Sequence, residues 1–256
     1  MLRNRRLAAY LALCFIIVLM IFIIVQRNTV VDNLPDFESI SDVKDKKQQF
    51  FDFIGPIIEA ENEKVLINRE KLLMLEQQFS KDKSIRAKDE KWVKNLAKIY
   101  KVRIDTLDDK AAWTSLKHRV DIVPVPLALA QSANESSWGT SRFAQEGNNL
   151  FGQWCFIEGC GLVPAKRNKG ATHEVAKFNS VDESVAHYIL NLNTLMAYQP
   201  LRAIRWEHRE GGKALTGSAL AAGLVNYSER GENYVEDIQT LIRINKPLML
   251  NQQIYK

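Results

Sequence analysis

The stretch LALAQSANESSWGTSRFAQEGNNLFGQWC, residues 127–155, joins an apolar helical pattern to a run rich in Ser, Gly and Asn. Pro124 and Pro126 precede it, and the start of a helix favours proline because the first N–H groups have no partner within the helix. Gly139 is a typical helix stop. The sequence therefore predicts a helix that ends soon after Glu135, followed by a loop.

One acidic residue, Glu135, falls on the last turn of this predicted helix. Leu127, Gln131 and Glu135 share one helix face, and small neighbouring side chains let other elements pack closely there. Partial burial and the negative end of the helix dipole both disfavour a carboxylate at this position. A glutamic acid that keeps its proton near neutral pH can donate it to a leaving oxygen. An exposed glutamate at a helix end is the alternative interpretation.

Aromatic and amide side chains follow Glu135, notably Trp138, Asn149, Phe151 and Trp154. Sugars present C–H faces that stack on aromatic rings and hydroxyls that bond to amides. These residues therefore predict a sugar-binding site beside the glutamate. Trp138 and Phe151 also fit a hydrophobic core, and the sequence leaves that alternative open.

The N-terminus has the pattern of a membrane anchor. Arg3, Arg5 and Arg6 precede an uncharged stretch, residues 7–25, which as a helix would span roughly 28 Å, close to the roughly 30 Å core of a bilayer. The stretch ends without the small residues of a signal-peptide cleavage site. For a bacterial protein, the positive-inside rule predicts a single-pass inner-membrane protein with its main domain in the periplasm.

Cys155 and Cys160 lie close together in the segment WCFIEGCG. Outside the cytoplasm such a pair is typical of a disulfide. A redox or metal site is the alternative, but a single pair lacks the second half of a four-ligand zinc site. The 4 histidines show no zinc-binding spacing either, so the sequence predicts no metal and no cofactor.

The net charge of +5 suits a protein that works among anionic polymers, and it equally suits an ordinary lysine-rich surface. No pattern of arginines with aromatic residues indicates nucleic-acid binding.

Five segments are predicted along the chain. They are a cytoplasmic end with a transmembrane anchor at 1–27, a linker at 28–47, an accessory helical region at 48–115, a catalytic domain at 116–250 and a tail at 251–256. Apolar residues recur every seven positions in the accessory region, at Ile58, Val65, Leu72 and Phe79. This stripe predicts helices that pack on the following domain, and a coiled coil that binds a protein partner is the alternative.

Local patterns also predict elements after the quoted stretch. Weak alternation between 147 and 176 predicts a loop and a short β-hairpin. Ser180 and Glu183 form a capping box that opens the next helix, and further helices are predicted to the end of the domain. The fold class is therefore mainly α with a small β-lobe.

Two motifs, AQSANESSWGTSRFA and GNNLFG, resemble the glucosaminidase family of bacterial peptidoglycan hydrolases, which includes flagellar and autolysin enzymes and is similar to glycoside hydrolase family 73. The segments WCFIEGCG, HEVAKFNSV and NYSERGENYV resemble, more narrowly, a membrane-anchored branch of it. The resemblance covers residues 123–245. It implies a lysozyme-like α fold with a β-hairpin lobe, and cleavage of the peptidoglycan glycan strand beside N-acetylglucosamine.

The resemblance also implies roles for single residues. Glu135 matches the family's acid, and Tyr227 matches a tyrosine near the substrate site. Glu229 stands where relatives usually have an aspartate. The loop that shapes the sugar site is matched by Gly147, Asn149, Phe151 and Gly152.

The second catalytic group is harder to assign. Two carboxylates usually flank the scissile bond, about 5 Å apart when one is a nucleophile. Glu174 is the best candidate here and Glu158 the next, although ordinary hairpin glutamates are the alternative for both. Without a second acid, the substrate's N-acetyl oxygen could attack the anomeric carbon, or the 6-hydroxyl of muramic acid could close an anhydro ring.

Three functional hypotheses follow from these residues. The first is an endo-β-N-acetylglucosaminidase that acts on peptidoglycan with Glu135 as general acid. The second is a lytic transglycosylase-like enzyme. The third is a non-catalytic glycan-binding or scaffold protein of the cell envelope.

Overall fold

The computed structural model describes residues 34–165, 167 and 170–249. The predicted anchor at 7–25 and tail at 251–256 lie outside these residues, as does the start of the predicted linker. In the described part of the chain, every helix is too short or too polar to cross a membrane.

The described ranges are mostly helical. In chain order the helices are α1 (Val43–Asp82), α2 (Ala87–Ile99), α3 (Lys110–Arg119), α4 (Val125–Ser136), α5 (Arg142–Gly147), α6 (Val181–Thr194), α7 (Gln199–Glu210), α8 (Gly217–Ala221) and α9 (Glu232–Asn245). Single 3-10 turns occur at Met196–Tyr198, Ala222–Leu224 and Lys246–Leu248. The strands are β1 (Trp154–Cys155), β2 (Gly161–Leu162) and β3 (Glu174–Ala176), in the antiparallel order β1-β3-β2.

Helix α1 begins within the predicted linker. The Asp42 carboxylate accepts a 2.8 Å hydrogen bond from the Asp45 N–H and caps the helix, so the linker ends at this residue rather than at 47. The predicted stripe faces inward, where Ile58 and Leu72 are fully buried, and α1 packs on α4 and α6. The stripe is therefore part of this fold's core and is not available as a coiled-coil seam.

Buried polar contacts join α1 to the segment before α4. Asn62 is fully buried, and its side-chain amide exchanges two hydrogen bonds with the backbone of Val123, at 2.7 and 3.1 Å. Arg69 donates to the carbonyls of Lys117 and Val120. The described residues, from 34 to 249, form one compact unit. The boundary predicted between 115 and 116 falls inside α3, and the predicted accessory region packs within the same compact unit as the residues that follow it.

A buried cluster of charged side chains also holds the segment before α4. Asp121 pairs with Arg209 at 2.8 Å, and Arg69 and Arg205 lie within 3.5 and 3.9 Å of it. Burial alone would raise the pKa of Asp121, but the three arginines hold that pKa below its usual value. Arg205 is fully buried and donates to the carbonyls of Asp121 and Ile122. Helices α1 and α7 therefore set the position at which α4 begins.

Helix α4 ends three residues before the predicted stop at Gly139. Ser137 and Trp138 already adopt left-handed backbone angles, with φ of 53° and 60°, and Gly139 continues the turn at 78°. This turn directs the Trp138 ring toward α1, where it packs on Phe50 and Phe51.

The β-lobe is larger than the predicted hairpin. Strands β2 and β3 form that hairpin, and β1 adds a third strand on the far side of β3. Cys155 and Cys160 are joined by a disulfide, as the sequence predicts. The capping box at Ser180 also forms, with the Ser180 hydroxyl accepting from the Glu183 N–H at 3.2 Å.

Candidate active site

Glu135 lies half-buried on the last turn of α4, and its two carboxylate oxygens have different surroundings. Oε1 accepts a 2.8 Å hydrogen bond from the Tyr234 hydroxyl and a 3.1 Å bond from the Asn134 amide. Oε2 faces Gly152, where a Cβ atom would come within 3.5 Å of it. Gly152 is itself exposed, so Oε2 lies on the solvent side of the carboxylate.

The Tyr234 hydroxyl belongs to a buried chain of hydrogen bonds. Tyr188 donates to the Gln131 side-chain oxygen at 2.7 Å, and the Gln131 amide donates to Tyr234 at 2.9 Å. Because Tyr234 accepts from Gln131, its own proton points to Glu135. With Oε1 accepting two bonds, the protonated form of Glu135 carries its proton on Oε2.

Burial keeps these tyrosines neutral. It raises the pKa of Tyr188 and, together with the nearby Glu135 carboxylate, raises the pKa of Tyr234 far above the ordinary tyrosine value. Both residues therefore remain O–H donors throughout the pH range in which proteins are folded. The chain of hydrogen bonds therefore fixes Oε1 of Glu135 and leaves Oε2 available for chemistry.

The GNNLFG loop is held by Asn149, which is almost fully buried. Its amide donates to the carbonyls of Gln153 and Ala176, both at 2.8 Å, and its oxygen accepts from the Gln153 and Phe151 N–H groups. These bonds clasp the loop against β3. Gly152 has a φ of 63°, which favours glycine, and this conformation brings the loop backbone to Glu135.

Tyr227 supports the same loop from the opposite side. Its hydroxyl donates to the Phe151 carbonyl at 2.9 Å, and its ring stacks on Tyr234 with centroids 5.3 Å apart. Phe151 is buried and stacks on Tyr188 at 3.9 Å. Phe151 is therefore a core residue that packs beneath the loop. The Tyr227 hydroxyl bonds the loop and does not bond Glu135.

Residues 110–247, more than half of the chain, match the Glucosaminidase family model, described as mannosyl-glycoprotein endo-beta-N-acetylglucosaminidase. The chain belongs to the glucosaminidase family. It is 33% identical to Protein bax of Escherichia coli (strain K12) over 217 residues, which cover 85% of this chain and 76% of that protein. The narrower resemblance carried by WCFIEGCG, HEVAKFNSV and NYSERGENYV is confirmed by this relative.

A solved structure is also similar to this chain. The catalytic domain of the autolysin Auto from Listeria monocytogenes is 20% identical, with a TM-score of 0.38. The similarity covers 65% of this chain and 89% of that domain.

Several predicted sugar-binding residues lie apart from the Glu135 carboxylate. Trp138 packs on α1 with Lys47 over its ring at 4.9 Å, so that ring contributes to the contact with α1. Trp154 is 56% exposed and stacks on His173 in the β-lobe. Glu229 is exposed in the turn before α9. Of these side chains, Trp154 retains a large open aromatic face.

Gly147 has a packing role in this family member. A Cβ at this position would come within 3.3 Å of Leu162, and the Gly147 carbonyl accepts from the Phe178 N–H at 2.9 Å. The absence of a side chain lets α5 approach the β-lobe closely.

Glu174, the sequence candidate for a second acid, is bound by backbone. The Gly159 N–H donates to one of its oxygens at 3.1 Å and the Gly161 N–H donates to the other at 2.8 Å. These bonds lower the pKa of Glu174, so it stays ionised in the lobe. Glu174 thereby holds the loop that the disulfide closes. Glu158, the next candidate for a second acid, is exposed in that loop.

The sulfurs of Cys155 and Cys160 approach Glu174 closely enough to resemble a metal site. Both sulfurs are bonded in the disulfide, so neither is a thiolate that could bind a metal. The cluster is therefore structural.

Sequence reasoning missed Tyr234, the residue that bonds Glu135. It lies in NYSERGENYV, a segment already singled out for Tyr227, but the register of the two tyrosines gives no indication of which one reaches the acid. Gln131 was placed on the correct helix face, four residues before Glu135, without a role. Its pairing with two distant tyrosines is visible only in the folded chain.

Proposed function

We propose that this protein is an endo-β-N-acetylglucosaminidase that hydrolyses the glycan strand of peptidoglycan, with Glu135 as general acid. The observation that carries the proposal is that the two oxygens of the Glu135 carboxylate have different surroundings. Oε1 is fixed by Tyr234, and Oε2 lies beside exposed Gly152 with room for a substrate oxygen. Membership of the glucosaminidase family supports the type of bond that is cleaved.

In the first step, protonated Glu135 donates its Oε2 proton to the glycosidic oxygen beside N-acetylglucosamine. The bond between that oxygen and the anomeric carbon breaks, and the leaving sugar departs as a neutral alcohol. Water then supplies a hydroxyl to the anomeric carbon, and its other proton returns to the Glu135 carboxylate. Tyr234 keeps Oε1 as an acceptor in both states and holds the carboxylate in place.

The substrate supplies the second group in this proposal. Glu174 has both oxygens bound by backbone N–H groups of the lobe, and we therefore assign it a structural role instead of that of the nucleophile. The N-acetyl oxygen of the sugar that is cleaved then attacks the anomeric carbon, and water opens the resulting ring. Trp154, with its exposed face, stacks on a sugar further along the strand.

A lytic transglycosylase is the second candidate, because a single working carboxylate suffices for that reaction as well. There the 6-hydroxyl of muramic acid replaces water and forms a 1,6-anhydro ring. The two reactions leave different ends on the glycan, so their products distinguish them.

The proposed substrate also indicates where the protein acts. Residues 7–25 anchor the protein in the inner membrane, and the domain lies in the periplasm, where peptidoglycan is found. The disulfide between Cys155 and Cys160 supports an oxidising compartment.

The experiment is digestion of purified peptidoglycan by the protein and by its Glu135→Gln variant, with analysis of the new chain ends. The hydrolase predicts new reducing N-acetylglucosamine ends, which the variant does not form. Anhydromuramyl ends would establish the transglycosylase instead. Saturable binding without new ends would identify a non-catalytic glycan-binding protein and overturn the proposal.

A further inference from the structure

Three tyrosine rings form a row that leads away from Glu135. Tyr234 stacks on Tyr227 with centroids 5.3 Å apart, and Tyr227 contacts Tyr198 at 5.7 Å. The first hydroxyl is bound to Glu135 and the second to the Phe151 carbonyl. Within the described residues, the hydroxyl of Tyr198 has no hydrogen-bond partner.

A half-buried tyrosine hydroxyl normally finds a partner, because an unsatisfied polar group loses the free energy of its bonds to water. Tyr198 is half-buried, at the end of the 3-10 turn Met196–Tyr198. The side chain of Asn226 donates to the Ala197 carbonyl within this turn. The turn is therefore tied to the segment that carries Tyr227, the residue that bonds the loop beside Glu135.

The Tyr198 hydroxyl stays protonated and is influenced by the charge of Glu135. Burial and then the Glu135 carboxylate raise the pKa of Tyr198 to about 12, so the group stays an O–H donor at neutral pH. The neighbouring Met196 is 69% exposed, which leaves the turn open to a ligand on its outer side. Since no group of the described residues accepts a hydrogen bond from this donor, it is available to a ligand.

We propose that the Tyr198 hydroxyl donates a hydrogen bond to the N-acetyl carbonyl of the sugar bound next to Glu135. This inference rests on the proposed function and deepens it by naming the substrate group that is recognised. A neutral phenol is a better donor than acceptor, and the amide carbonyl is the strongest neutral acceptor that a peptidoglycan sugar offers. Tyr198 thereby selects N-acetylated over free-amine glucosamine.

The test measures binding in a Glu135→Gln background, so that cleavage does not interfere. The probes are purified peptidoglycan glycan fragments, either native or chemically N-deacetylated. Adding Tyr198→Phe is expected to weaken binding of the native fragment about five- to tenfold, the range of one neutral hydrogen bond. Binding of the deacetylated fragment should be weak and unchanged by the substitution.

Tyr100→Phe in the same background is the matched control. Burial also raises the pKa of Tyr100 to about 12, but this residue lies against Arg205 and Asp121 instead of Glu135. Unchanged affinity of Tyr198→Phe for the native fragment, or an equal loss on both fragments, would overturn the inference. The proposed function fails separately, if the unsubstituted protein forms no new chain ends.

Discussion

The helical body and the β-lobe each present one shielded glutamate, and the two are bound in opposite ways. Glu135 accepts hydrogen bonds from side chains at a single oxygen. Glu174 accepts backbone N–H groups at both of its oxygens, which lowers its pKa. Glu135 therefore keeps one oxygen through which it can exchange a proton with a ligand, whereas Glu174 is held ionised by the backbone of the lobe.

The largest expected effect comes from substituting the two carboxylates in parallel. Glu135→Gln removes the proton donor and is expected to lower kcat on peptidoglycan by about 10²- to 10⁴-fold. Glu174→Gln keeps one acceptor for the lobe and is expected to lower the melting temperature while leaving kcat within about threefold of the original. The measurement is release of new chain ends, with circular dichroism to check folding. A comparable loss of kcat in a folded Glu174→Gln variant would remove the distinction between the two sites.

A smaller effect is expected from the tyrosine that fixes Glu135. Tyr234→Phe deletes the bond to Oε1 and should lower kcat by about 10- to 100-fold with little change in KM, the range for one hydrogen bond to a charged group. Tyr227→Phe loses only its bond to the loop carbonyl and should have a weaker effect on kcat. Steady-state kinetics of both variants check this order. The reverse order would make Tyr227 the partner that matters for the acid.

The smallest expected effect comes from substituting Gly152. This substitution tests whether Oε2 of Glu135 needs open space, and its control measures the cost of backbone strain alone. Gly152→Ala adds a methyl group beside Oε2 and should lower kcat/KM by about tenfold, while its positive φ costs about 1 kcal/mol of folding free energy. Gly212→Ala is the control, because Gly212 has a φ of 61° and nothing within 4 Å of an added Cβ. Urea unfolding should show similar losses for both variants. Equal activity of the two would show that Oε2 needs no open space at Gly152.

Much of the helical body could be predicted because its signals are local. The heptad stripe of α1, the capping box at Ser180 and the placement of Glu135 on the last turn of α4 depend on residues a few positions apart. The short spacing of Cys155 and Cys160, together with the predicted location outside the cytoplasm, likewise predicted their disulfide, which the structure contains. The packing of region 48–115 on the following segment involves buried Asn62 and Arg69, both in α1, which bond to backbone more than fifty positions further along the chain.

The remainder of the site depends on contacts over long sequence distances. Gln131 meets Tyr234 across 103 positions and Tyr188 across 57, and no local pattern pairs them. The orientation of Trp138 follows from two consecutive left-handed residues, a conformation that Ser and Trp do not favour. The bonds that hold the Glu174 carboxylate could not be predicted, because their donors are backbone N–H groups, which carry no sequence signal.

The central claim is that Glu135 gives its proton to the leaving oxygen. The most direct test compares the Glu135→Gln variant with the original protein on two substrates, the native glycan strand and an N-acetylglucosamine oligosaccharide with a dinitrophenyl leaving group. Dinitrophenolate departs without a proton, so the account predicts that a loss of about 10³-fold on the strand shrinks to about tenfold or less on the activated substrate. An equal loss on both substrates would contradict it.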